Sequence, residues 1–110
     1  MVTRQAPEAV AKGDADEAIV LCWTGTGAAL CANKVGGLRA ALCGDAETAR
    51  GARKWNHANT LALSIRLTTT AIADEILAAW FAEPFSDDEW NRAQIARITE
   101  MDRQQEPDEA

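Results

Sequence analysis

"IVLCWTGTGAALCANK", Ile19 to Lys34, is the stretch that decides the fold. With Ala18 before it, the run to Trp23 is apolar throughout, β-branched in part and too short for a buried helix, so it predicts a strand buried on both faces. Trp23-Thr24-Gly25-Thr26-Gly27 then breaks the pattern with turn-forming residues. Gly27 to Val35 resumes as a short helix closed by Gly36-Gly37.

The same cycle repeats downstream. Leu38 to Cys43 predicts a second strand, Asp45 to Lys54 a helix with Asp45 as its N-cap, and Thr60 to Ile65 a third strand. Strand starts about twenty residues apart leave room for a crossover helix and a parallel neighbour. The expected class is therefore α/β, a three-layer Rossmann-like arrangement around a parallel sheet of about three strands. Were the Ala18 to Trp23 strand an edge, its apolar side chains and backbone groups would lie open, so a covering element is expected there.

Residues 1 to 8 read as loose, with Ala9 to Lys12 as the last turn of a helix stopped by Gly13. Thr68, Thr69 and Thr70 offer N-caps to a helix running through Ala82, on which Ile72, Ile76 and Trp80 share one face. Ser86-Asp87-Asp88-Glu89 matches a capping box, opening a last helix whose Ile95, Ile98 and Met101 form a narrow stripe fit for contacts in a dimer. From Arg103 the chain turns polar and acidic. The reading is one domain over residues 1–102 and a polar tail over 103–110.

Composition narrows the function. The 110 residues carry a net charge of -6, which argues against nucleic acid, because phosphate binding is driven by clustered Lys and Arg. No apolar run reaches the roughly 20 residues that cross a bilayer, and MVTRQAPEAV has no apolar signal core, so no membrane association and a cytoplasmic location are expected. Cys22, Cys31 and Cys43 are odd in number, without CxxC spacing or a histidine cluster, which predicts reduced thiols and no metal site.

In parallel α/β sheets, ligands gather where strands end and helices begin, and Cys22 falls at such a place. Gly25 and Gly27 let consecutive backbone N–H groups approach an anion, and the same field lowers the pKa of a thiol. A dinucleotide loop does not fit, since Leu30 stands where the third glycine belongs, and the GKS or GKT ending of a P-loop is missing. A buried cysteine acting as a small hydrophobe is the competing reading of Cys22.

The extended pattern "VLCWTGTGAALCANKVGGLRAALC" followed by "ARKWNHANTLALSIRL" resembles the ribose 5-phosphate isomerase B family, which includes the galactose 6-phosphate isomerase subunits. The likeness runs from about Val10 to about Ile98, roughly the last two-thirds of a member. It implies aldose–ketose isomerisation of a phosphorylated sugar through an enediolate, with no cofactor and no metal. Cys22 inherits the role of proton-transfer base, and Thr24, Gly25, Thr26 and Gly27 that of an oxyanion hole. The resemblance also implies a homodimer or higher homo-oligomer with a site shared between subunits, or a hetero-oligomer with a longer paralogue.

There are departures from the family pattern. The family's initial strand with its Asp-His pair has no counterpart. Trp55 stands where many members carry a ring-opening histidine, and His57, two residues on, is the candidate substitute. Asn56 is a candidate substrate contact, while Arg92 and Arg97 are candidates for the phosphate. Arg39 and Arg66 match recurrent family arginines, and Asn33 and Lys34 match the ANK element, with a helix-end packing role as an equal reading. A shortened, non-catalytic subunit or sugar-phosphate-binding paralogue is the alternative to an active isomerase.

Overall fold

A computed structural model describes residues 5–105. The elements follow in the order α1 (Gln5–Ala11), β1 (Ala18–Cys22), α2 (Thr26–Asn33), β2 (Ala40–Leu42), α3 (Ala46–Asn56), β3 (Thr60–Ser64), α4 (Thr70–Ala82) and α5 (Glu89–Gln104). The three strands form one parallel sheet in the order β1-β3-β2, with Ala18 level with Thr60 and Cys22 level with Ser64. The α/β class with a three-stranded parallel sheet is as the sequence led one to expect.

Packing divides the sheet into two faces. Leu61 and Leu63 of β3 join Cys43, Ala49, Ala52, Ile76 and Trp80 in the larger core, beneath α3 and α4. On the other side Val20 and Ala62 meet Ala28 of α2 in a smaller cluster. β3 is central and buried at every residue. Ile76 and Trp80, four residues apart on α4, are both fully buried, as the periodicity requires.

β1 departs from the reading of a strand buried on both faces. Ala18 and Val20 are buried, but Ile19 is 39% exposed and Leu21 53%. The cause lies in the strand order: α3 and α4 cover β3 and β2 on one side, and the edge strand extends beyond that cover. Leu21 lines a concavity with Leu63, Thr69 and Ala73, and both Ile19 and Leu21 stay partly exposed.

The helix ends follow their signals with shifts of a residue or two. Asp45 caps α3, accepting from Thr48 N at 2.7 Å, and Thr69 caps α4, accepting from Ile72 N at 3.2 Å. For α5 the cap is Asp88, which takes Asn91 N at 2.8 Å; Ser86 instead donates its hydroxyl to the Asp88 carboxylate. The Ser86 N–H is bonded to Lys54 O at 2.9 Å, so it is not free for the return bond from Glu89 that a capping box needs. α1 begins at Gln5, earlier than the single turn expected, and Gly13 at φ +82° follows its end. α5 continues through Gln104, two residues into the segment expected as tail, while residues 1–4 and 106–110 lie outside the described residues. Its apolar stripe is partly used at home, since Ile98 and Met101 line a cavity of about 360 Å³ together with Leu38 and Ala58.

Arg53 ties the layers together. Its guanidinium meets Glu17 at 2.6 Å, donates to Ala58 O at 2.6 Å, and lies 4.9 Å from the Trp80 ring centroid and 4.5 Å from that of Phe85. Both partners of the ion pair are largely shielded from solvent. Arg53→Met keeps the apolar stem but strands Glu17 and the Ala58 carbonyl, so a loss of about 2 kcal/mol is expected in urea unfolding. A change below about 0.5 kcal/mol, the scale of ordinary surface substitutions, would contradict this role.

Candidate functional site

Cys22 is the last residue of β1, and the end of β3 fixes its backbone. Ile65 N donates to Cys22 O at 3.0 Å and Arg66 N to Trp23 O at 2.9 Å. Ser64 Oγ also donates to Trp23 O, at 3.1 Å, and accepts from Leu67 N at 3.2 Å. The strand's last carbonyls are therefore held by its neighbour. The chain then turns through Gly25 at φ +81° into α2.

Gly25 has two reasons to be glycine. Its φ lies where only glycine is unstrained. A Cβ built there would also sit 3.1 Å from Leu63 C and Ser64 N, and against the Cδ1 of Leu42. This close approach presses the turn onto the end of β3 and aims Gly25 N at the Cys22 sulfur, 3.1 Å away.

The thiol sits in a cradle of amides. The N–H of Ala28 foremost, with those of Gly25, Thr24 and Gly27, draws the Cys22 pKa below the ordinary thiol value, against an opposing effect of partial burial. Every influence on it comes from backbone and burial, none from a charged side chain. Cys22 is half-buried rather than sealed in hydrocarbon. At the mouth, Thr24 Oγ1 and Thr26 Oγ1 share a hydrogen bond of 2.7 Å, with both residues exposed. The arrangement offers a thiolate, donors around it and a hydroxyl pair beside it.

Cys43 shows the opposite behaviour. Burial, with the nearby Asp45 carboxylate adding to it, pushes its pKa up to about 11. Iodoacetamide at neutral pH is therefore expected to alkylate Cys22 and spare Cys43 in the folded chain. The Cys22 rate should rise with a midpoint below that of an ordinary thiol and fall on acidification, because the thiolate is the reactive form. Peptide mass spectrometry across a pH series reads both outcomes, and a Cys22 midpoint at or above that of an unfolded control would refute the cradle.

The remaining candidates do not converge on Cys22 within one chain. His57 follows α3 and precedes β3, whose first residue, Thr60, is level with Ala18. A five-residue strand therefore separates it from the level of Cys22, roughly 13 Å along the sheet. Within one chain His57 is therefore not beside Cys22: the helix of a parallel crossover returns the chain to the amino end of the sheet, away from the strand tips. His57 instead holds the loop after α4, with its Nε2 2.8 Å from Ser86 O and its ring stacked on Phe85 at 4.6 Å. Since a carbonyl only accepts, Nε2 is the protonated nitrogen.

Asn56 lies at that same end and lines the cavity beside α5. Arg92, on the first turns of α5, is exposed and 3.6 Å from Asp87, and Arg97 is exposed farther along the helix. Asn33 has a structural task, donating to Ala40 O at 3.0 Å and accepting from Ala40 N at 2.8 Å, so that it pairs with β2 as a strand would. Arg39 Nε donates to His57 O at 2.8 Å. Arg66 is the cation whose backbone is pinned beside the Cys22 turn. Its signal in the sequence was the arginine closing "LALSIR", without any indication of which strand end it would reach.

Comparison with known proteins shows the family and the fold. The sequence model of the Ribose/Galactose Isomerase family matches residues 1–98. The galactose-6-phosphate isomerase subunit LacB of Clostridium acetobutylicum is 37% identical over 98 residues, covering 89% of this chain and 57% of that protein. The D-erythrulose-4-phosphate isomerase of Pectobacterium atrosepticum is 43% identical over 77 residues, 70% of this chain and 51% of that one. The structure of Trypanosoma cruzi type B ribose 5-phosphate isomerase superposes with a TM-score of 0.91 at 32% identity, covering 94% of this chain and 67% of that one. The chain thus spans between half and three fifths of the length of these two curated relatives.

Proposed function

Because the chain belongs to the Ribose/Galactose Isomerase family, we propose that it catalyses aldose–ketose isomerisation of a phosphorylated sugar with Cys22 as the proton-transfer base. The carrying observation is the half-buried thiol whose pKa is depressed by four backbone amides. In the forward direction the Cys22 thiolate takes the proton from C2 of the aldose. The electron pair of that C–H bond becomes the C1–C2 double bond, and the carbonyl π electrons move to O1. The thiol then returns its proton to C1 while the O2 proton passes to O1, giving the ketose with no net oxidation.

The turn supports both charges in this cycle. The amides hold the thiolate, Gly25 N among them, and the exposed Thr24 and Thr26 hydroxyls serve the enediolate oxygens. The Thr24–Thr26 hydroxyl pair is suited to passing a proton between O1 and O2. For the phosphate, Arg66 is the arginine whose backbone is bonded to the Cys22 turn, and Asn56, with Arg92 and Arg97 of α5, would complete the site from a second copy. The working unit is accordingly a homo-oligomer.

Purified chain incubated with phosphorylated aldoses in deuterated water should yield the ketose and place deuterium on the carbon-bound position. Neither ketose nor exchange with any sugar phosphate would sink the proposal. A second reading, a subunit that binds sugar phosphate without converting it, draws on the separation of Asn56 and Arg92 from Cys22. Saturable binding without exchange would favour it.

A further inference from the structure

β3 is apolar from Leu61 to Leu63 and then ends on a buried hydroxyl, Ser64. Burying a hydroxyl is costly unless it is bonded, so its partners show what holds it there. Neither partner belongs to the strand ladder. Ser64 Oγ donates to Trp23 O at 3.1 Å and accepts from Leu67 N at 3.2 Å, joining the two loops that leave the carboxyl ends of β1 and β3. Ser64 is also level with Cys22 on the neighbouring strand, and level residues of a parallel pair point to the same face.

The bond to Trp23 O bears on the thiol through a single peptide plane. In a trans peptide the carbonyl and the following N–H point in opposite directions. Two donors draw the Trp23 carbonyl toward β3, Ser64 Oγ and, at 2.9 Å, Arg66 N. The N–H on the other side of that plane is that of Thr24, one of the amides acting on Cys22. Two bonds on the oxygen fix the plane and polarise its N–H. The second bond of Ser64 bears on Arg66. Arg66 N is tied to Trp23 O and the next amide, Leu67 N, to Ser64 Oγ, so the backbone is pinned on both sides of the arginine side chain.

We infer, resting on the isomerase reading above, that Ser64 is a positioning residue for the reaction: its hydroxyl locks the Cys22 turn to the loop that carries Arg66 and fixes the spacing between them. It acts through these two segments rather than on the substrate. The sheet does not depend on it, because Ile65 N still reaches Cys22 O and Arg66 N still reaches Trp23 O when the hydroxyl is gone. Leu67 is exposed, so water can take up its N–H.

The test compares the full chain with Ser64→Ala, Ser64→Thr and Asp45→Ala, the last removing a helix cap elsewhere. Ser64→Ala is expected to fold and to raise the pH midpoint of Cys22 alkylation, measured without substrate. Its kcat/KM should fall by about 10- to 100-fold, up to the scale of an ångström of misplacement, with kcat lowered and KM raised. Ser64→Thr keeps the hydroxyl on a residue suited to strands and should restore both the midpoint and the kinetics. Asp45→Ala should lower Tm and leave the Cys22 midpoint where it was. An unmoved midpoint in Ser64→Ala, the same shift in Asp45→Ala, or a folded Ser64→Thr as impaired as Ser64→Ala would overturn the inference. So would a loss of less than about threefold in kcat/KM for Ser64→Ala. Absence of both turnover and deuterium exchange in the unsubstituted chain is a separate result, which removes the isomerase reading and this inference with it.

Discussion

Cys22→Ala is expected to leave the chain folded and to cut isomerisation by about 10³-fold in kcat/KM, within the range that a positioned acid–base group contributes. The methyl side chain keeps the contact with the small cluster of Val20, Ala28 and Ala62. What is lost is the sulfur that accepts from Gly25 N and carries the proton. The stability cost should stay near 1 kcal/mol, the worth of one hydrogen bond. Activity of the unsubstituted chain should rise with pH with a midpoint below that of an ordinary thiol and vanish on acidification, because the amides lower the Cys22 pKa and the thiolate is the working form. Retention of more than about a tenth of the activity by Cys22→Ala would assign the base elsewhere.

Gly25→Ala is expected to cost about 2–4 kcal/mol, of which about 1 comes from forcing an L-residue to φ +81° and the rest from overpacking. The added methyl meets Leu63 C and Ser64 N at 3.1 Å, which are backbone atoms of the central strand and have no rotamer to change. For a chain of this size the loss corresponds to roughly 10–20 °C in Tm. Displacement of the turn would also carry Gly25 N off the sulfur, so the Cys22 alkylation midpoint should move up toward that of an ordinary thiol. Gly27→Ala, two residues on, is the matched control. Nothing lies within 4 Å of a Cβ there and the residue is helical, so a gain of up to about 1 kcal/mol is expected. Equal effects of the two substitutions in thermal melts would refute the close-approach argument.

Much of the fold was legible because short-range physics wrote it. The apolar run at Ile19, the cap at Asp45 and the four-residue spacing of Ile76 and Trp80 act within a few residues, and the structure has each in its expected element, although β1 buries only one face. The capping box at Ser86 misled because its donor was claimed by Lys54 O, a contact between residues distant in the chain. Arg53 gave no signal at all: its partners Glu17, Ala58, Trp80 and Phe85 come from four separate stretches.

The candidate site divides along the same line. By itself the sequence determined the βα hand-over at Cys22, the glycines of its turn and the family, since all of these are carried by residues adjacent in the chain. Only the tertiary structure decided that β3 lies between β1 and β2, that Ile19 and Leu21 face outward, and that His57 and Asn56 stand at the opposite end of the sheet from the thiol. The reason is that a parallel crossover fixes where each helix returns, while which strands become neighbours depends on packing between segments far apart in sequence.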